Sequence, residues 1–72
     1  MPRSVFFSVY VPTKGLVGDP ANGNPFPNEG NPEHIDIANT SFFSNEPIAQ
    51  GHTDQHHPTG VVLRVIITTE DL

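Results

Sequence analysis

The sequence contains no cysteine and no tryptophan, and only three Lys or Arg residues stand against eight Asp or Glu. Without cysteine, disulfides and thiolate zinc sites are excluded. A chain of 72 residues must then be held together by packing, by a His/carboxylate metal or by a partner. The scarcity of bases and a formal charge of −5 argue against a phosphate-backbone binder, which needs clustered Lys and Arg. Nucleic acid is therefore not an expected partner. Long apolar runs are missing too. The stretch Val5 to Val11 is interrupted by Ser8 and falls far short of the roughly 18 residues of a membrane span. The N-terminus does not read as an export signal, so a soluble chain is the expectation. Also absent is any segment with a convincing three-to-four-residue apolar period, which leaves no predicted helix.

What remains is a strand-and-turn composition. Val, Ile, Leu and Phe supply 20 residues, above the range of disordered chains, and Pro, Gly and Asn supply another 20. The period-two pattern places Val5, Phe7, Val9 and Val11 on one face of a strand and Phe6, Ser8 and Tyr10 on the other. Gly60 opens a second strong strand, with Val61, Leu63, Val65 and Ile67 facing one way and Val62, Arg64, Ile66 and Thr68 the other. A weaker strand is predicted over 34–43 from Ile35-Asp36-Ile37 and Phe42-Phe43. The expectation is one all-β domain over 1–72, with three to four strands near 4–11, 34–43 and 60–69 and loops over 12–33 and 44–59. Residues 15–34 hold twelve Pro, Gly or Asn among twenty, a density that defeats helix and strand alike. Loops longer than about 12–15 residues are often functional, and Phe26 between Pro25 and Pro27 is the candidate apolar anchor for a partner.

With no helix to cover the sheet, its apolar residues require either a curl of the sheet or another chain. The last strand is β-prone with Arg64 as its single charge, a hazard if its edge is open. Val61, Leu63, Val65 and Ile67, with Phe26, are thus the candidate partner-binding residues. A homo-oligomer or a larger protein assembly is expected.

The only dense constellation of reactive types is Gly51-His52-Thr53-Asp54-Gln55-His56-His57-Pro58. Imidazole and carboxylate suit zinc, nickel or copper, so His52, Asp54, His56 and His57 are the candidate metal ligands, with His34 or Asp36 available as a more distant addition. A solvated polar loop is the competing reading. Catalysis has little support. The carboxylates are scattered, no strained nucleophile turn is legible, and neither the spacing nor the lysine of a phosphate loop is present. Asn39-Thr40-Ser41 fits a glycosylation sequon, read here as chance. From Gly15 to Leu63 there is no Lys or Arg but six acids, so both loops are anionic. That pattern serves solubility, or it steers the chain toward a basic partner as a small acidic inhibitor would, with binding that weakens in salt.

The order Val5 to Val11, Lys14-Gly15-Leu16-Val17-Gly18-Asp19, His34-Ile35-Asp36-Ile37 and Val65-Ile66-Ile67-Thr68-Thr69-Glu70-Asp71 resembles the first half of haemolysin-coregulated protein, the ring-forming tube subunit of type VI secretion. The segment 20–32 has no counterpart in that pattern. The resemblance implies a non-catalytic ring subunit whose strands complete a sheet between subunits, and it assigns no site residues. The leading expectation is a non-catalytic structural or protein-interaction subunit that assembles through β-strands. A small metal-binding β-protein is the first alternative and an acidic inhibitor of a basic protein the second.

Overall fold

A computed structural model of the chain describes every residue except Met1, Pro2, Pro20, Asn22, Pro32 and Glu33. The chain forms strands β1 (Arg3–Val11) and β2 (Gly15–Leu16), helix α1 (Glu46–His56) and strand β3 (Val61–Thr68). The three strands make one antiparallel sheet in the order β2-β1-β3. β1 and β3 are where the period-two pattern puts them, and they pair along their length from Arg3 opposite Thr68 to Tyr10 opposite Val61.

β1 turns into β2 through a tight reversal in which the Lys14 amide donates to the Val11 carbonyl at 3.0 Å. Thr13 (φ 68°) and Gly15 (φ 94°) both lie in the left-handed region. Gly15 occupies it without cost, whereas Thr13 has a Cβ that crowds the following carbonyl. β2 extends pairing into the segment expected to be loop only. The Val17 amide donates to the Val9 carbonyl at 2.9 Å and the Ser41 amide to the Val17 carbonyl at 2.9 Å.

The strand expected over 34–43 is not one. That segment pairs only at isolated bridges, Thr40 with Gly18 and Phe43 with Phe7. Its backbone is instead held by local polar bonds. The Thr40 hydroxyl donates to the Asp36 carbonyl at 2.7 Å, the Asn39 side-chain amide donates to the Asp36 carboxylate at 2.8 Å, and the Asp36 amide donates to the side-chain carbonyl of buried Asn28 at 3.1 Å. Asn and Asp side chains offer the backbone an alternative to a ladder, and here that alternative prevails over a weak alternation. The expected 12–33 loop is otherwise irregular where described; Pro20, Asn22, Pro32 and Glu33 lie outside the described residues.

The expectation of an all-β chain is corrected by α1, which replaces most of the 44–59 loop. Asn45 caps it, its side-chain oxygen accepting from the Ile48 amide at 3.0 Å, with Glu46 and Pro47 in the first turn. Acid and proline both suit that turn, because its amides lack partners within the helix and carry the positive end of the dipole. The helix was invisible to periodicity because it buries small residues: Ala49 and Thr53, one turn apart, are 0% and 2% exposed, while Ile48 is 55% exposed. The Thr53 hydroxyl is satisfied by the Ala49 carbonyl at 3.0 Å.

The core is compact. Val9, Val11 and Val17 are buried, with Phe26 and Phe43 packed against them. Full burial of each such valine contributes about 1.5–2 kcal/mol. Gly18 lets two loops meet beside this core, since a Cβ there would stand 2.7 Å from both the Asn39 carbonyl oxygen and the Pro27 ring.

Candidate functional site

Two surfaces hold the residues singled out by sequence. The first is the free side of the sheet. β3 pairs with β1 and with no other strand among the described residues, so its second edge is open over 61–68. Which backbone groups that edge presents follows from the other side of β1. Phe7 exchanges both backbone hydrogen bonds with Phe43, at 2.9 and 2.7 Å, so its N–H and C=O point away from β3. Phe7 and Arg64 are therefore a non-hydrogen-bonded pair. By alternation Val62, Arg64, Ile66 and Thr68 direct their N–H and C=O groups outward.

Side chains on the two faces of the sheet also separate. Phe7, Val62 and Arg64 line a cleft of about 260 Å³ with Glu46 of α1, which identifies their face as the one α1 covers. The opposite face carries Phe6, Ser8 and Tyr10 of β1 with Val61, Leu63, Val65 and Ile67 of β3. Residues 41 and 42 cover part of it: the Ser8 hydroxyl donates to the Ser41 carbonyl at 3.1 Å, and the Phe6 and Phe42 rings lie 6.1 Å apart. Ser8 is fully buried there, and the β3 side of the face is partly exposed. Val61 is 50% exposed and Leu63 39% exposed, and Val65 and Ile67 are half-buried. Four of the five candidate partner-binding residues thus share one surface. The fifth does not, because Phe26 packs on the chain's own core and against His57.

The second surface is the C-terminal end of α1. His52 and His56, one turn apart on the helix, have ring centroids 4.8 Å apart, and His57 follows at 5.4 Å from His52 and 6.4 Å from His56. The cluster is framed by aromatic rings, Phe43 at 5.2 Å from His52 and Phe26 edge-on at 5.6 Å from His57. It faces a cleft of about 330 Å³ whose remaining walls are Val17, Gly18 and Pro25. Burial holds the His52 and His57 imidazoles below their ordinary value of 6.5. Charge on His56 lowers both further, and charge on His57 adds to the effect at His52.

Asp54 stands apart from this cluster, exposed and accepting from the Gln50 side-chain amide at 3.0 Å. Asp36 is engaged with Asn39, and His34 is exposed in the 34–43 segment. Among the described residues no group of three or more His, Cys, Asp or Glu side chains is placed to hold a metal ion. No ion pair among them joins an imidazole to a carboxylate; the recorded pair is Lys14 with Glu29 at 2.7 Å, and Lys14 also lies over the Phe26 ring at 5.7 Å. No helix among them is long and apolar enough to cross a membrane. The three histidines were legible in sequence, but their aromatic frame was not, because it depends on α1 turning them toward Phe26 and Phe43.

Compared with protein-family models, curated proteins and solved structures, the chain matches none of them.

Proposed function

We propose that this chain is a non-catalytic assembly subunit that pairs through the open edge of β3 with a second copy of itself. The observation that carries the reading is the unpaired run of outward N–H and C=O groups at Val62, Arg64, Ile66 and Thr68, flanked by exposed apolar side chains. Such an edge is a template for strand addition, with main-chain bonds supplying affinity and alternate side chains the specificity.

Two antiparallel copies of β3 fit each other best with Val65 opposite its own counterpart. In that register Arg64 lies opposite Ile66 and Leu63 opposite Ile67, and the outward groups of 62, 64, 66 and 68 all find partners. A shift of one position each way would set Arg64 against Arg64, and like charges directly opposite are destabilising. The acids do not oppose the contact, since none lies in β3. The face carrying Val61, Leu63, Val65 and Ile67 then continues from one copy to the other. The resemblance to the tube-subunit family agrees with assembly through strands, although the reading stands on the β3 edge.

Sedimentation velocity on the full chain at micromolar concentration tests it. A dimer is expected, since a two-fold contact uses the edge of both copies, and Ile66→Pro is expected to return the chain to a monomer that still folds, because it removes an outward N–H and none donated to β1. A wild-type chain that is monomeric and cooperatively folded overturns the proposal, as does an Ile66→Pro chain that keeps the wild-type mass.

A further inference from the structure

The geometry points to a divalent transition-metal site at the end of α1, with His52 and His56 as a chelating pair and His57 as third ligand. Residues four apart on a helix project side by side, and here the backbone of α1 fixes that spacing whatever the rings do. Two imidazoles bound tetrahedrally to one zinc, with Zn–N of about 2.0–2.1 Å, place their ring centroids about 5 Å apart. The observed separations of 4.8 and 5.4 Å from His52 bracket that distance, while His56 and His57, at 6.4 Å, must draw together by about 1 Å to share the ion. Binding one ion requires the rings to turn from the positions they hold here, where no three such side chains among the described residues are placed to hold a metal. His56 is exposed, while Phe43 and Phe26 pack against His52 and His57.

Three further features suit a cation here. His56 lies in the last turn of α1 and His57 caps it, where the helix end carries the negative end of the dipole. No Lys or Arg lines the adjoining cleft, whose 330 Å³ leaves room for an ion and for water in a fourth position. Three nitrogen donors without thiolate select a borderline ion such as zinc, nickel or copper over calcium or magnesium, which take oxygen. The site lies on a different element from the β3 edge and stands or falls independently of it.

Zinc alone is the probe, added in equimolar amount to untagged full-length chain and read by native mass spectrometry and thermal melting. One zinc per chain is expected, with a raised midpoint that a chelator reverses, since an ion bound only by the native state stabilises it. His56→Ala, at an exposed position, is expected to leave the fold intact and weaken zinc retention roughly tenfold or more, the scale on which even outer-shell losses act. His34→Ala is expected to retain zinc as wild type does. Repeating the titration on Ile66→Pro separates a site within one chain from zinc bridging two copies: one zinc per monomer is the expected result. No retained zinc and no shift, equal retention by His56→Ala, or loss of zinc in Ile66→Pro each overturns the proposal.

Discussion

Phe7 and Phe43 exchange two backbone hydrogen bonds, at 2.9 and 2.7 Å, although thirty-six positions separate them in the sequence. This single bridge does three things. It ends the irregular segment, leads two residues later into the Asn45 cap of α1, and fixes which groups of β1 face β3. Through β1 it determines which amides of β3 are left outward, so the candidate assembly edge is specified on the far side of the sheet.

A pair of proline substitutions reads that alternation directly. Ile66→Pro removes an N–H that no strand of this chain accepts, whereas Val65→Pro removes one donated toward Phe6. In urea titrations at concentrations where the chain is monomeric, Val65→Pro is expected to cost about 3 kcal/mol and Ile66→Pro clearly less. Equal losses would show that the register differs.

Two glycines are expected to respond with opposite signs. Gly51 lies inside α1 with open space where a Cβ would go, so Gly51→Ala is expected to raise stability by about 0.5–1 kcal/mol. Gly18→Ala drives a methyl group against the Asn39 carbonyl and the Pro27 ring and is expected to cost about 1–3 kcal/mol. Denaturant midpoints of the two variants decide the matter.

The helix start gives a third test. Asn45→Ala leaves the Ile48 amide without its acceptor, at a cost of about 1 kcal/mol. Asn45→Asp keeps an acceptor and is expected to preserve the helical ellipticity that the alanine variant loses.

Stability is expected to fall with pH in chelator-containing buffer. His52 and His57 titrate lower in the folded chain than the ordinary 6.5 they regain on unfolding. The unfolded state therefore binds more protons between those values, and stability rises with pH across that interval. The contribution is fully present above about pH 6.5 and is lost as pH falls through the folded values. Denaturant midpoints measured from neutral to mildly acidic pH check it, and a His52→Gln/His57→Gln chain is expected to flatten the slope.

The two long strands were legible because β-branched and aromatic residues alternate there over whole faces, and a period of two needs no knowledge of what lies across the sheet. That Val61, Leu63, Val65 and Ile67 share one face was legible for the same reason. Helix α1 was not, since its buried stripe is only Ala49 and Thr53 and its interior holds a glycine. Its signals were the Asn45 cap and the early Pro47, which local chemistry explains but hydrophobic pattern does not. The 34–43 segment misled in the other direction, because Ile35 and Ile37 alternate yet remain largely exposed while side chains of Asn28, Asp36 and Asn39 take the backbone bonds.

By itself, then, the sequence determined an acidic, cysteine-free chain, two apolar strands, and three histidines close together in order. Only tertiary structure decided that one face of the sheet is covered by a helix and the other in part by residues 41 and 42, because burying alanine and threonine leaves no periodic mark. It also decided that His52, His56 and His57 meet while Asp54 does not, since helical geometry turns residues four apart to one side and sends those between them away.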